Sequence, residues 1–290
     1  TPALSAGKHV LVEKPIATST VDAQQMIQAA YENEVQLGVN FMMRHGPIAP
    51  RVGRLIESKL LGEVLRGYVV NRASDAGLPP EHWFWDEQQS GGIFVEHGVH
   101  FFDLVASWLG EGVVLGATRI ARPDSEVIDQ VSAEVQYGEQ TTVSYYHGFH
   151  QSPHFDQQEV RLIFERGQLV MRGWVAQEVE IEAALSNEQV EQVHAIFPDA
   201  EVRDVKKLEG DQRTAARRWK KETVQRQIVL SYVDPRDKQE VYASALADLM
   251  KDLVTAVHDR SHRMRVTAEQ GRDALATAAE ATRIAKAMTA

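Results

Sequence analysis

Between Gly7 and Val39 the chain alternates in a way that leaves few folds open. Lys8-His9-Val10-Leu11-Val12 is a short β-branched run bounded by Gly7 and, after Glu13-Lys14, by Pro15. Thr18-Ser19-Thr20 supplies helix caps, an amphipathic stretch with Val21, Met26, Ile27, Ala30 and Tyr31 ends near Glu34, and Val35 to Val39 is a second apolar run. Strand, helix and strand in that order predict a parallel βαβ unit, because parallel strands need a crossover rather than a hairpin. Open α/β sheets bind ligands beyond the carboxyl ends of their strands, which is where Glu13 and Lys14 stand. Pro15 fixes the backbone there, and a cis Lys14–Pro15 bond would make a tight turn that aims Lys14 into the crevice.

The remainder reads differently. Ile48, Val52, Leu55, Ile56 and Leu60 keep helical spacing up to Gly62, and Gly62 to Ser74 reads as a strand. Leu78 to Gly92, with Pro79-Pro80, Trp83-Phe84-Trp85 and Gly91-Gly92, reads as a loop that covers something, its aromatics suited to core packing or to stacking on a sugar face. Ile93 to Leu109 is a strongly apolar helix stopped by Gly110. Beyond Gly112 the β-rich runs 113–122, 129–137, 140–149, 158–165 and 168–182 predict an antiparallel sheet. Ser186 to Phe197 reads as a capped helix, Asp199 to Lys221 is polar and unassigned, and Thr223 to Tyr232 reads as a strand. Asp237 to Arg260 and Thr267 to Ala290 read as amphipathic helices, the second opened by Thr267 with Gln270 three residues on. Without repeats or linkers, a domain boundary falls most naturally between Arg44 and Pro50.

Composition narrows the chemistry. A length of 290 residues with 43% hydrophobic and 25% charged residues fits one large or two modest globular units. No stretch approaches the roughly 20 apolar residues of a membrane helix. Thirty-one basic against 41 acidic residues give a net charge of −10, which disfavours nucleic acid, and the absence of cysteine excludes disulfides and thiolate chemistry. The beginning of the chain lacks the build of a signal peptide, so the expected location is cytoplasmic.

The helix from Ile93 to Leu109 carries Glu96, His100 and Asp103 in an otherwise apolar sequence. Spacings of four and three put carboxylate, imidazole and carboxylate on nearly one face, where they must be solvated, paired or lining a cavity. A carboxylate beside His100 would orient the ring and raise its basicity, which suits proton transfer. His147, His150 and His154 alternate as strand residues and lack a tight ligand spacing, so no metal site is expected. The basic run Arg213 to Lys221, with Trp219, reads as a solvated loop or an oligomer contact.

Taken together, Ala6-Gly7-Lys8-His9-Val10-Leu11-Val12-Glu13-Lys14-Pro15, Gly38-Val39-Asn40-Phe41 with Arg44, Leu61-Gly62-Glu63-Val64, and Ser90-Gly91-Gly92 leading to Gly98-Val99-His100-Phe101-Phe102-Asp103 resemble the glucose-fructose oxidoreductase, inositol dehydrogenase and rhizopine-catabolism (Gfo/Idh/MocA) family. The resemblance implies an α/β chain: the C-terminal remnant of a Rossmann domain at residues 1–46, then an α+β domain with a large, mainly antiparallel sheet at 47–290 for substrate and oligomer contacts. The last helix would pack back on the Rossmann part. It further implies an NAD or NADP dehydrogenase acting on a sugar, cyclitol or related polyol, in a homo-oligomer (dimer or tetramer) with no nucleic-acid or membrane partner. By position, Lys14 matches the active-site lysine, His100 the proton-accepting histidine, Glu96 a carboxylate that is usually aspartate, and Asp103 the acidic residue one turn on. Glu13, Lys14, Pro15, Asn40 and Arg44 match the cofactor side of the cleft. The Gly-rich phosphate turn and ribose-reading acid of a complete dinucleotide fold are absent from this sequence, so the chain reads as a fragment of a longer gene product or, as the alternative, as one that has lost its pyrophosphate site, and cofactor binding by this chain alone is not expected. Two alternatives share the scaffold: a glycoside-cleaving enzyme using NAD transiently, and a non-catalytic ligand sensor.

Overall fold

The computed structural model describes residues 1–217 and 220–288; Arg218 and Trp219 of the basic run, and the last two residues of the final helix as predicted, lie outside the described residues. A single helical turn, α1 (Pro2–Ser5), leads into β1 (Val10–Val12), α2 (Thr20–Glu32) and β2 (Leu37–Val39). Ser19 caps α2 by accepting from the Asp22 backbone N–H. β1 and β2 pair in parallel, Val10 opposite Leu37, as the strand–helix–strand pattern requires. The Lys14–Pro15 bond is cis.

A short 3-10 turn at Met42–His45 precedes α3 (Ala49–Ser58) and β3 (Val64–Ser74). The aromatic loop holds a turn at Trp83–Trp85 and α4 (Glu87–Ser90); Phe84 packs on Phe149 with ring centroids 4.8 Å apart, Trp85 lies under the Arg122 guanidinium, and Trp83 stays exposed. The loop thus covers one end of the sheet. The apolar helix is not uniform. Its first turn, Phe94–Gly98, is a π turn, and α5 (Val99–Leu109) continues from it; such turns are frequent at functional sites.

The sheet comprises β4 (Gly112–Ala121), β5 (Ile128–Tyr137), β6 (Thr141–Gln151), β7 (Gln157–Phe164), β8 (Gly167–Arg172), β9 (Glu178–Leu185) and, after α6 (Asn187–Ile196), β10 (Glu201–Lys207). A small hairpin of β11 (Thr214–Arg217) and β12 (Lys220–Thr223) precedes β13 (Arg226–Val233), α7 (Lys238–His258) and α8 (Ala268–Met288). Its strand order is β10-β13-β9-β8-β7-β3-β6-β5-β4, antiparallel except where β3 and β6 run parallel. That one parallel pair arises because β3 and β6 are joined through α5 and two further strands rather than by a hairpin. The run expected over 168–182 is two strands: Gly173, at φ +98°, breaks it and starts a loop carrying Trp174. The unassigned polar segment contains β10, an edge strand whose alternate residues face water.

One apolar core runs under β1, β2, α5, α7, α8 and the inner face of the sheet. α8 closes it. A Cβ on Gly271 would lie 2.8 Å from Val39 Cγ2, so glycine lets α8 approach β2. The final helix therefore packs back on the βαβ unit.

Candidate active site

Three segments far apart in sequence meet at the carboxyl ends of β1 and β2. The turn after β1 delivers Glu13 and Lys14, the end of β2 delivers Asn40, and the π turn with α5 delivers Glu96, His97, His100 and Asp103. Lys14 Nζ donates to Glu96 Oε1 at 2.6 Å and to the Glu96 backbone carbonyl at 2.7 Å. Both side chains are largely buried, with 16% and 17% exposure, so this pair is held in place rather than swinging in water. Asn40 Nδ2 donates to Glu13 Oε1 at 2.9 Å.

His100 is 5% exposed, edge-on to Trp174 at 4.7 Å between ring centroids and 6.0 Å from Phe41. Burial first, and then the Lys14 ammonium, push its pKa well below the ordinary histidine value. The influence of Lys14 brings the two sequence-predicted groups into one electrostatic neighbourhood. At neutral pH the ring is an uncharged imidazole. This differs from the expectation that a neighbouring carboxylate raises its basicity. Glu96 turns to Lys14 because a carboxylate gains more from an ammonium than from a neutral ring.

Asp103 does not join His100 either. Its Oδ1 accepts from Arg44 Nη1 at 3.2 Å, and the same Nη1 donates to Gln270 Oε1 at 2.9 Å. Burial pushes the Asp103 carboxyl up to about 7 although Arg44 pulls the other way, so desolvation outweighs the ion pair. Arg44, Asp103 and Gln270 line a cleft of about 400 Å³ between α5 and α8, and Lys14 and His100 are not among its lining residues. Gln270 also accepts from the Thr267 backbone N–H at 3.1 Å, so the predicted cap of α8 anchors Arg44 as well.

Sequence reasoning did not single out Trp174, and it gave His97, on the apolar helix, no role. Trp174 stacks on His97 at 5.1 Å and 23° while turning its edge to His100. The signal for Trp174 was Gly173, whose break in an apparent strand was hidden by the β-branched and apolar residues around it. His147 points inward, its ring 5.4 Å from His97, whereas His150 is exposed.

The donor set suits the nicotinamide end of a dinucleotide. The Asn40 Oδ1 is buried without a partner, an acceptor that a carboxamide N–H would satisfy, at the strand ends where such ligands bind. Glu13, Lys14, Pro15 and Asn40 are the residues that would hold it; Arg44 is engaged by Asp103 and Gln270.

Two models of one family match the chain: the NAD-binding Rossmann fold of an oxidoreductase family over residues 1–41, and the GFO/IDH/MocA C-terminal domain over residues 50–170. The chain belongs to the Gfo/Idh/MocA family. Among members it is 30% identical over 104 residues to scyllo-inositol 2-dehydrogenase (NAD(+)) of Bacillus subtilis (strain 168), covering 36% of this chain and 29% of that protein. It is 33% identical over 104 residues to 1,5-anhydro-D-fructose reductase of Ensifer adhaerens, covering 35% of this chain and 30% of that protein. The matches span about a third of the length of these curated relatives. The Gfo/Idh/MocA fold is also that of an oxidoreductase from Agrobacterium radiobacter solved with NAD+, L-tartaric acid and magnesium, at a TM-score of 0.68 and 15% identity over 98% of this chain and 72% of that one.

Proposed function

We propose that this chain carries the proton-transfer and substrate-facing part of an NAD- or NADP-dependent oxidoreductase that moves a hydride between nicotinamide and a hydroxyl-bearing carbon of a sugar, cyclitol or related polyol. The observation that carries the reading is the Lys14 ammonium, fixed at 2.6 Å by Glu96 beside a neutral, nearly sealed His100. When bound, the nicotinamide supplies the redox chemistry, taking or giving the hydride at its ring carbon.

The chain's own residues supply the rest. His100, uncharged at neutral pH, takes the hydroxyl proton at a ring nitrogen. Lys14 donates a hydrogen bond to the reacting oxygen and stabilises the negative charge that gathers there. Glu96 holds Lys14 in that pose through its carboxylate and its backbone carbonyl. Arg44 and Asp103 tie α5 to α8 and so fix the helix that presents His100. In this reading residues 1–46 form the nucleotide-binding part and 47–290 the substrate part, with α8 returning to the first.

A homo-oligomer, dimer or tetramer, belongs to the same proposal, supported by Val113, Leu115 and Ile120 lying more than half exposed on the edge strand β4. So does a cytoplasmic location, which cell fractionation tests. Among the described residues no helix is long and apolar enough to cross a membrane.

The test is incubation of the purified whole gene product with NAD+ or NADP+ and a panel of cyclitols and aldoses. Reduced nicotinamide should accumulate with at least one of them, in step with oxidised polyol. Sugar released from a glycoside without net reduced nicotinamide, or tight cofactor binding with no turnover across the panel, would contradict it.

A further inference from the structure

Behind His100 lies a row of polar side chains that the proposed reaction leaves unused. His97 sits 6.5 Å from His100 and 5.4 Å from His147 between ring centroids. His147, on β6, is fully buried and stands opposite Asn71 of β3, also fully buried, so the two share the inner face of the sheet. Asn71 stands in turn opposite Gln158 of β7, whose Nε2 donates to Oδ1 of the exposed Asp156 at 2.8 Å. Gly98 in the π turn makes room for this row, because a Cβ there would lie 3.4 Å from His147 Nε2.

Along the row, His100 Nδ1, His97 Nε2, both ring nitrogens of His147 and both amide atoms of Asn71 are buried without a hydrogen-bond partner. Each such atom costs on the order of 1–3 kcal/mol if left dry. Orphans set side by side form a polar track, and internal water is the partner that would satisfy them. A neutral imidazole accepts a proton at one nitrogen and releases one from the other, so such a track conducts protons.

We propose that His97, His147 and Asn71, bridged by internal water, form a relay that carries the proton from His100 across the sheet to solvent at Gln158 and Asp156. The assignment of the proton's origin rests on the dehydrogenase reading; the track itself does not. In each passage His100 gives up the proton taken from the substrate hydroxyl, the His97 and His147 rings each accept one on one side and yield one on the other, water held by the Asn71 amide passes it on, and the last proton leaves to bulk water, so no charge is left inside. The need for an exit follows from the burial of His100 beneath Trp174 and Phe41. None of the relay residues is placed at the reacting carbon; they act through His100.

The relay is tested on the full 290-residue chain without cofactor or substrate, with isotope-labelled histidine, by saturation transfer from water to the ring N–H protons. The wild-type rings of the partly buried His97 and the fully buried His147 should exchange with solvent on the timescale of seconds or faster. Asn71→Leu, which blocks the track with an apolar side chain, should slow both by about tenfold or more, whereas Asn71→Ser, which keeps a hydroxyl, should leave them fast. A loosened or partly unfolded variant would exchange faster, so slowing cannot come from damage. Ring protons protected for hours in the wild type, or an Asn71→Leu variant that exchanges as fast as the wild type, would overturn the relay. Because no turnover is measured, loss of the relay leaves the dehydrogenase reading to its own assay, and failure of that assay leaves the exchange result standing.

Discussion

At the scale of single residues, the site depends on which carboxylate takes which cation. Glu96 takes Lys14 and Asp103 takes Arg44, leaving His100 with no acidic partner. Glu96→Gln keeps the length of the side chain and the backbone carbonyl that Lys14 also uses, but removes the charge. Turnover should fall about a hundredfold through misplacement of the ammonium, and denaturant stability should fall by about 1–3 kcal/mol, because the largely buried ammonium loses its counter-charge. Wild-type turnover in that variant would show that Glu96 does not hold a working lysine. Much of this was readable in advance: the lysine at a strand end and the acid–imidazole–acid spacing single out Lys14, Glu96, His100 and Asp103. The pairing was not readable. Spacing along one helix says which side chains share a face, whereas the cations that compete for them come from Lys14 and Arg44, whose positions depend on how the helix docks.

At the scale of elements, α8 is the piece whose seating decides whether the βαβ unit stays on the rest of the chain. Gly271 meets Val39 so closely that Gly271→Ala forces a shift, and the added methyl should destabilise by about 1–3 kcal/mol. That loss exceeds the roughly 1 kcal/mol that alanine gains over glycine within a helix. Denaturant unfolding checks this, and a variant more stable than the wild type would mean that α8 is not pressed on β2. Helices were legible here because caps and period coincide: the expected Thr267–Gln270 box forms in both directions, and Ser186 caps α6. Strands were legible as runs but not as partners. Gly173 hid a loop inside one run, β10 was masked by its polar edge character, and nothing in the β-rich stretch announced that β3 and β6 would lie side by side in parallel.

At the scale of the whole molecule, the burial of imidazoles makes stability depend on pH with a definite sign. His45 is pushed down to about 4 by burial and then by Arg265, His147 to about 3 by burial, and His97 and His100 well below the ordinary value of 6.5, burial leading in each case. Each takes up a proton on unfolding at any pH between its folded value and 6.5, so each favours unfolding as the pH falls through that window. Asp103 works in the opposite sense: raised to about 7, it keeps a proton in the fold that the unfolded chain gives up, a contribution present below 3.8 and lost as pH rises through 7. Near pH 5 four imidazoles oppose one carboxyl, and unfolding takes up about three protons net. Denaturant midpoints should therefore drop between about pH 6.5 and 4; a flat profile there would mean that these rings are not held neutral. The same burial underlies the central claim, that residues 14 and 100 converge although 86 positions separate them. Its most direct test is the titration of the His100 ring by nuclear magnetic resonance in the wild type and in Lys14→Met, which removes the charge and keeps the bulk. The account predicts that His100 moves upward toward the ordinary histidine value in the variant; an unchanged titration would place the ammonium too far from the imidazole for one site to contain both.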